Sequence, residues 1–463
     1  MNFARAPGRA RPVFLRTTAP TPPGSPVAER FDACVRNTGN YFFEESLLRQ
    51  LPGLAVATGL EMLPRHVPLL VLSMSNFISP STDLGYLRDA LASRRIDQIV
   101  MIGAGAQAYT YGDTITLTEG TRRFLCYVAD RSVSIGVRGY YTAEVLAELG
   151  IRNVQVVGCP SAFWSGHAPA IPFLGPVNRD IGMSRLAVHC TPLGHFRDKV
   201  SALMAHGMRH GADYVMQSES WMMPLLGASD DVTALEEGLL YYGYPCCDPA
   251  ELRDWLTSRL LVFFGIDDWL KQMSQYDFVY GSRFHGNMAA IQAGVPALNM
   301  PFDTRTRELC EYLNLPVLPL VEFEADIAME RLREYADFGM FTRTYPTKLR
   351  DYAEFLTRNG LEHALPLSEP ARRAEREMRV KAMSVAHFMR DLQDDPACST
   401  RILAQGLAER LRPDRSTESR SAAETGCLTA INGVCSVVDW PTERLSRPRG
   451  DKHHPALQAL PAH

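Results

Sequence analysis

Short apolar runs recur along this chain with helical stretches between them, and that alternation restricts the fold more than any other feature. FDACV (31–35), PLLVLSM (68–74), QIVMIGAG (98–105), SVSIGV (132–137) and NVQVVGCP (153–160) read as strands in the first half. RLAVHC (185–190), DYVMQS (213–218), LVFFG (261–265), DFVYGS (277–282) and PALNM (296–300) read as strands in the second. Runs this apolar suit strands covered on both faces, and the segments between them are long enough for helical crossovers. Helices are expected over 42–51, with Glu44 and Glu45 in the first turn, and over 142–149, 250–259 and 269–275. The pattern predicts an α/β protein with two doubly wound units in tandem.

At 463 residues the chain exceeds one ordinary core. We expect an N-terminal α/β domain over 31–170 and, beyond a Pro- and Gly-rich linker at 168–176, a C-terminal one over 177–320. Helical patterns at 322–336, 347–359 and 369–394 make 321–395 a helical extension. Residues 1–30 hold five arginines, many prolines and no acid before Glu29, and read as a disordered leader. Residues 396–463 are polar and Arg-rich and read as a mostly disordered tail with an apolar island at 428–438. The net charge of −4 offers no general attraction for nucleic acid. No apolar run is long enough to span a bilayer, and the cytoplasm is the expected compartment. None of the ten cysteines forms a C-x-x-C pair, so they read as small apolar fillers.

The chemistry concentrates in YGSRFHGNMAAIQAGVPALNMPFD (280–303), where a strand gives way to a helix. A helix N-terminus presents unpaired N–H groups to an anion. Arg283 adds a donor fork, and His285 adds a group that exchanges a proton near neutral pH. Ligands of open α/β sheets bind beyond the carboxyl ends of the strands, which is where these residues fall.

This segment resembles the polysaccharide pyruvyl transferase family. There a strand is followed by a small residue, Arg, an apolar residue, His and Gly, then a small-residue helix, an A-G-V-P turn and an aspartate. Ser282, Arg283, Phe284, His285 and Gly286, then 293–296 and Phe302-Asp303, follow that order. Trp269-Leu270 and 309–316 fit its spacing. The loop at 37–40, the strand end at 103–107, Val137-Arg138 with Gly150-Ile151, and 157–161 are similar to other family motifs. Asn40 and Gly139 stand where the family usually has Asp, Thr142 where it has Ser, and the strand ending Val188-His189-Cys190 lacks a frequent Arg.

The resemblance implies two facing Rossmann-like domains, as in the GT-B glycosyltransferase architecture. It implies transfer of a pyruvyl group from phosphoenolpyruvate to a saccharide acceptor, free or lipid-linked, forming a ketal in exopolysaccharide or cell-surface glycan synthesis. Phosphoenolpyruvate is then a co-substrate, with no cofactor or metal. His285 becomes the proton donor and Arg283 the anion clamp; Ser282, Gly286 and Asn287 hold the donor; Asn37, Gly39, Asn40 and Gln107 face the acceptor. A homo-oligomer is compatible with this reading. A nucleotide-sugar-dependent GT-B glycosyltransferase and a catalytically degraded saccharide-binding scaffold stay open beside it.

Gly103 to Ala108 also matches G-x-G-x-x-A, but Gly112-Asp113 interrupts the helix it should open, and a substrate-edge loop is preferred. Trp221, Met222 and Met223 read as a packed patch, and His453 and His454 as solvated.

Overall fold

The computed structural model describes residues 11–75, 77–108, 114–172 and 184–365. Its first lobe holds β1 (Val13–Leu15), β2 (Ala55–Ala57), β3 (His66–Ser73), β4 (Arg95–Ile102), β5 (Ile135–Val137) and β6 (Val154–Val156). Sheet order is β2-β1-β3-β4, and the β5-β6 pair continues it through the Ala104–Val137 bridge. The helices of this lobe are α1 (Val27–Ala33), α2 (Gly39–Gln50), α3 (Gly85–Ala92), α4 (Glu119–Ala129) and α5 (Tyr140–Glu148).

The second lobe holds β7 (Leu186–His189), β8 (Asp213–Met216), β9 (Leu260–Val262), β10 (Phe278–Gly281) and β11 (Ala297–Asn299), in the order β11-β10-β7-β8-β9. Its helices are α6 (Arg197–Arg209), α7 (Val232–Gly243), α8 (Pro249–Arg259), α9 (Ile266–Met273), α10 (Phe284–Gln292) and α11 (Thr304–Leu313). Every strand pair in both lobes is parallel. β10 is buried at all four positions, which is why it shows no polar alternation. Strand order reverses beside β7, so the carboxyl ends of β7 and β10 flank the crevice where an open α/β sheet takes its ligand.

The expected two-unit α/β architecture is therefore present, with two local corrections. Residues 11–30 are not a disordered leader: β1 is a central strand, registered against β2 on one side and β3 on the other. Phe14 is fully buried, and Glu44 of α2 accepts from Thr17 N (2.9 Å), Thr18 N (3.0 Å) and Arg16 Nε (3.3 Å). Glu44 thus serves the end of β1 rather than the dipole of α2. Phe31 to Ala33 belong to α1 rather than to a strand. Val35 and Arg36 follow with φ of 56° and 53°, a left-handed turn unusual for a β-branched residue.

Beyond Leu320 come α12 (Met329–Tyr335) and α13 (Gly339–Arg358). α13 returns to the first lobe. Tyr352 stacks on Phe163 with ring centres 4.9 Å apart and donates to Gln50 Oε1 at 2.8 Å. Asn359 donates to Ser134 Oγ at 3.0 Å. The helix expected at 369–394, the tail at 396–463 and the linker from 173 onward lie outside the described residues. No helix among the described residues is long and apolar enough to cross a membrane.

Candidate active site

Arg283 caps α10, and its side chain turns into its own lobe. Nε donates to Cys190 O at 3.2 Å, Nη2 donates to Ser218 Oγ, and Glu219 lies 3.9 Å from Nη2. Ser282 Oγ accepts from Thr191 N at 2.8 Å, and Asn287 Nδ2 donates to Gly281 O at 2.9 Å. These bonds fix the strand-to-helix turn. His189, in the place of the family's frequent arginine, accepts from Arg283 N at 3.3 Å through Nδ1. Burial first, then the neighbouring Arg283 charge, pushes its imidazole down to about 3, so it is neutral.

His285 points across the seam between the lobes. A methyl placed on Gly39 would lie 2.8 Å from His285 Nδ1, so the first residues of α2 and α10 meet there with no side chain between them. His285 Nε2 lies 3.6 Å from Cys159 Sγ, and Phe42, Phe43 and Phe284 surround the ring. Burial, then the charges of Arg138, Arg305 and Arg283, hold its pKa well below the ordinary histidine value.

The loop expected on the facing side is thus in place, although its side chains are locally engaged. Asn37 Oδ1 accepts from Gly39 N at 3.1 Å, and Asn40 Nδ2 donates to Cys34 O at 3.0 Å. Thr38 N donates to Gln217 O at 2.9 Å, pinning the loop to the second lobe. Gln107 reaches over to Asp303 Oδ2 at 3.2 Å, beside Thr304 N, which donates to Ala108 O at 2.9 Å. The seam is packed rather than open.

Residues outside the expected site are as close to the chemistry as those within it. Arg138 and Arg305 converge behind Gly105, and Arg138 acts on His285 more strongly than Arg283 does. Glu308 of α11 accepts from Thr142 N (2.9 Å) and Thr142 Oγ1 (2.6 Å). A side chain on Gly139 would collide with Glu308, at 2.5 Å from its Cβ. Val137-Arg138 was visible as a motif; nothing in the sequence pointed to Arg305 or Glu308. Of the buried side-chain atoms lacking hydrogen-bond partners, Thr38 Oγ1, Arg138 Nη1, His189 Nε2, Gln217 Nε2 and Asn287 Oδ1 belong to residues at or beside this seam. A separate cavity of about 690 Å³ on the second lobe is lined by Arg197, Trp221, Tyr241 and Tyr244. Trp221 therefore reaches a concave surface, while Met222 and Met223 are core.

Two doubly wound lobes meeting at a cationic, histidine-bearing seam form the frame of a two-lobed α/β enzyme. The polysaccharide pyruvyl transferase profile matches residues 37–303, more than half of the chain and both halves of the seam. The chain belongs to this family of transferases. No curated protein matches it. Among solved structures, a protein of uncharacterised function from Klebsiella pneumoniae subsp. pneumoniae is 10% identical over 65% of this chain and 87% of its own, at a TM-score of 0.32. A protein from Listeria monocytogenes described as a UDP-N-acetylglucosamine 2-epimerase is 11% identical, over 63% and 74%, at 0.35. The S. aureus MnaA–UDP complex is 12% identical, over 65% and 78%, at 0.34.

Proposed function

We propose that this transferase moves a pyruvyl group from phosphoenolpyruvate to a saccharide and leaves a pyruvate ketal. The observation that carries the reading is His285 standing at the N-terminus of α10, against the N-terminus of α2, inside the segment that matches the family. Proton delivery from His285 to the methylene carbon of the donor builds positive character at C2. One sugar hydroxyl attacks C2, phosphate departs, and a second hydroxyl closes the ketal. Of the two hydroxyl protons, one ends in the new methyl group and the other on phosphate. Burial, and then the charges of Arg138, Arg305 and Arg283, hold the His285 pKa down, and an anionic donor bound beside it offsets those charges. Ser282, Asn287 and Gly286 shape the donor edge, Arg283 adds positive charge behind it, and Gly39, lacking a side chain, lets α2 come close to His285.

The test is phosphate release from phosphoenolpyruvate in the presence of a panel of saccharides, with His285→Ala alongside. Release by the wild type and its loss in the variant are expected. Equal release by both removes His285 from the mechanism, and no release with any acceptor turns the reading toward a saccharide-binding scaffold.

A further inference from the structure

We infer that Arg138 and Arg305 form an anion subsite bridging the two lobes, and that it takes the phosphate group of the donor. Arg138 leaves the end of β5 and is 1% exposed. Its Nε donates to Gly103 O at 2.9 Å, while its Nη1 has no hydrogen-bond partner. No carboxylate among the described residues lies within ion-pair distance of it. A buried guanidinium left this way is costly unless an anion meets it.

Arg305 approaches from the other lobe, in the first turn of α11. A methyl on Gly105 would lie 2.9 Å from Arg138 Cδ and 3.1 Å from Arg305 Cγ, so the two side chains converge on one point from opposite sides of the seam. Arg305 is anchored only loosely, with Nη2 3.3 Å from Asp303 Oδ2. Burial first, and then the neighbouring charge of Arg305, brings Arg138 down to about 10. Glu308 and Asp303 are the acids nearby, the first engaged by Thr142 and the second by Arg305, Gln107 and Thr306.

A dianionic phosphate suits two neighbouring arginines, each with a guanidinium that offers a planar fork. Arg283 is poorly placed for this, since its Nε and Nη2 are bound within its own lobe. The donor's carboxylate is then left for the N-terminus of α10. The identity of the donor rests on the pyruvyl-transfer reading; the existence of an anion subsite does not.

The experiment is calorimetric titration of the full chain with phosphoenolpyruvate and, separately, with inorganic phosphate. Wild type is compared with Arg138→Gln, Arg138→Lys and Arg305→Gln, each checked by thermal melting. Dissociation constants for both probes should rise about tenfold or more in Arg138→Gln and Arg305→Gln, and less in Arg138→Lys. In turnover, KM for the donor should rise with KM for the acceptor unchanged. Arg305→Gln keeps the test available if Arg138→Gln fails to fold, because Arg305 is part-exposed. An Arg305→Gln protein that melts like wild type and binds both probes as tightly overturns the subsite while leaving pyruvyl transfer intact. Arg305-dependent binding of phosphate without binding of phosphoenolpyruvate supports the subsite and overturns the donor. A wild type that binds neither probe overturns the subsite.

Discussion

Thr142, in the first turn of α5, receives its helix-capping carboxyl group from Glu308 on the opposite lobe, through contacts of 2.9 Å at the backbone and 2.6 Å at the hydroxyl. Gly139, which has no side chain, leaves the space that Glu308 occupies. One lobe's helix end now depends on the other lobe being docked.

Burial raises the pKa of Glu308 from 4.5 to about 8, against the smaller lowering from Thr142 and Arg138. A carboxyl group raised in the folded state gives stability that is whole below its unfolded pKa and is lost as pH climbs through the folded one. Relative to Glu308→Gln, the wild type should therefore lose about 3 kcal/mol between pH 6 and pH 9, at roughly 1.4 kcal/mol per unit. Urea denaturation of both proteins across that range measures it. Parallel stability curves would show that Glu308 is ionised throughout.

His285 should be neutral in the free protein at pH 6.5, the ordinary midpoint, because burial and three arginines oppose its charge. Phosphate or phosphoenolpyruvate should move its midpoint upward. Proton NMR titration, with the resonance assigned by comparison with His285→Gln, follows both effects. A midpoint at or above 6.5 without ligand contradicts the cationic seam.

Gly39→Ala places a methyl group 2.8 Å from His285 Nδ1. Alanine suits a helix start better than glycine does, so folding should hold. Displacing the acid should lower kcat by about 10- to 100-fold, the usual scale for a misplaced general acid. A variant with unchanged kcat would mean that the ring yields freely and that its present position is not the working one.

Phe14→Ala should destabilise the protein by about 3–5 kcal/mol, as removal of a buried aromatic ring usually does. Phe14 is fully buried in a strand paired on both sides. Chemical denaturation decides; a loss below about 1 kcal/mol would mark β1 as a dispensable edge.

The strands that read clearly were those whose burial on both faces left an unbroken apolar run, such as β3, β4 and β10. β1 escaped because Arg16, beside it, looks like part of a polar leader until Glu44 is seen to neutralise it. Two of its three residues are buried, but three residues carry no period. FDACV misled for the opposite reason: only Phe31 and Cys34, three residues apart, are its buried large side chains, and Val35 is exposed in the turn that follows α1. At the site, Arg283, His285 and the 37–40 loop were legible because strand-to-helix junctions and turns leave local marks. Arg305 and Glu308 reach the site by meeting residues far away in sequence, Gly105 and Thr142 respectively, and no local pattern encodes such a meeting.

The chain crosses between the lobes twice, once after Phe163 and again on the way to α13, and the two crossings converge. Tyr345 and Gln292 both donate to Ala162 O, at 2.8 Å and 2.7 Å. Two covalent spans gathered at one point act as the spine of a book. Elsewhere along the seam the lobes are joined by hydrogen bonds of Gln107, Thr142, Thr304 and Glu308. Away from the two covalent spans, interlobe contact thus includes hydrogen bonds of single side chains, the kind of contact that conformational steps in enzymes make and break.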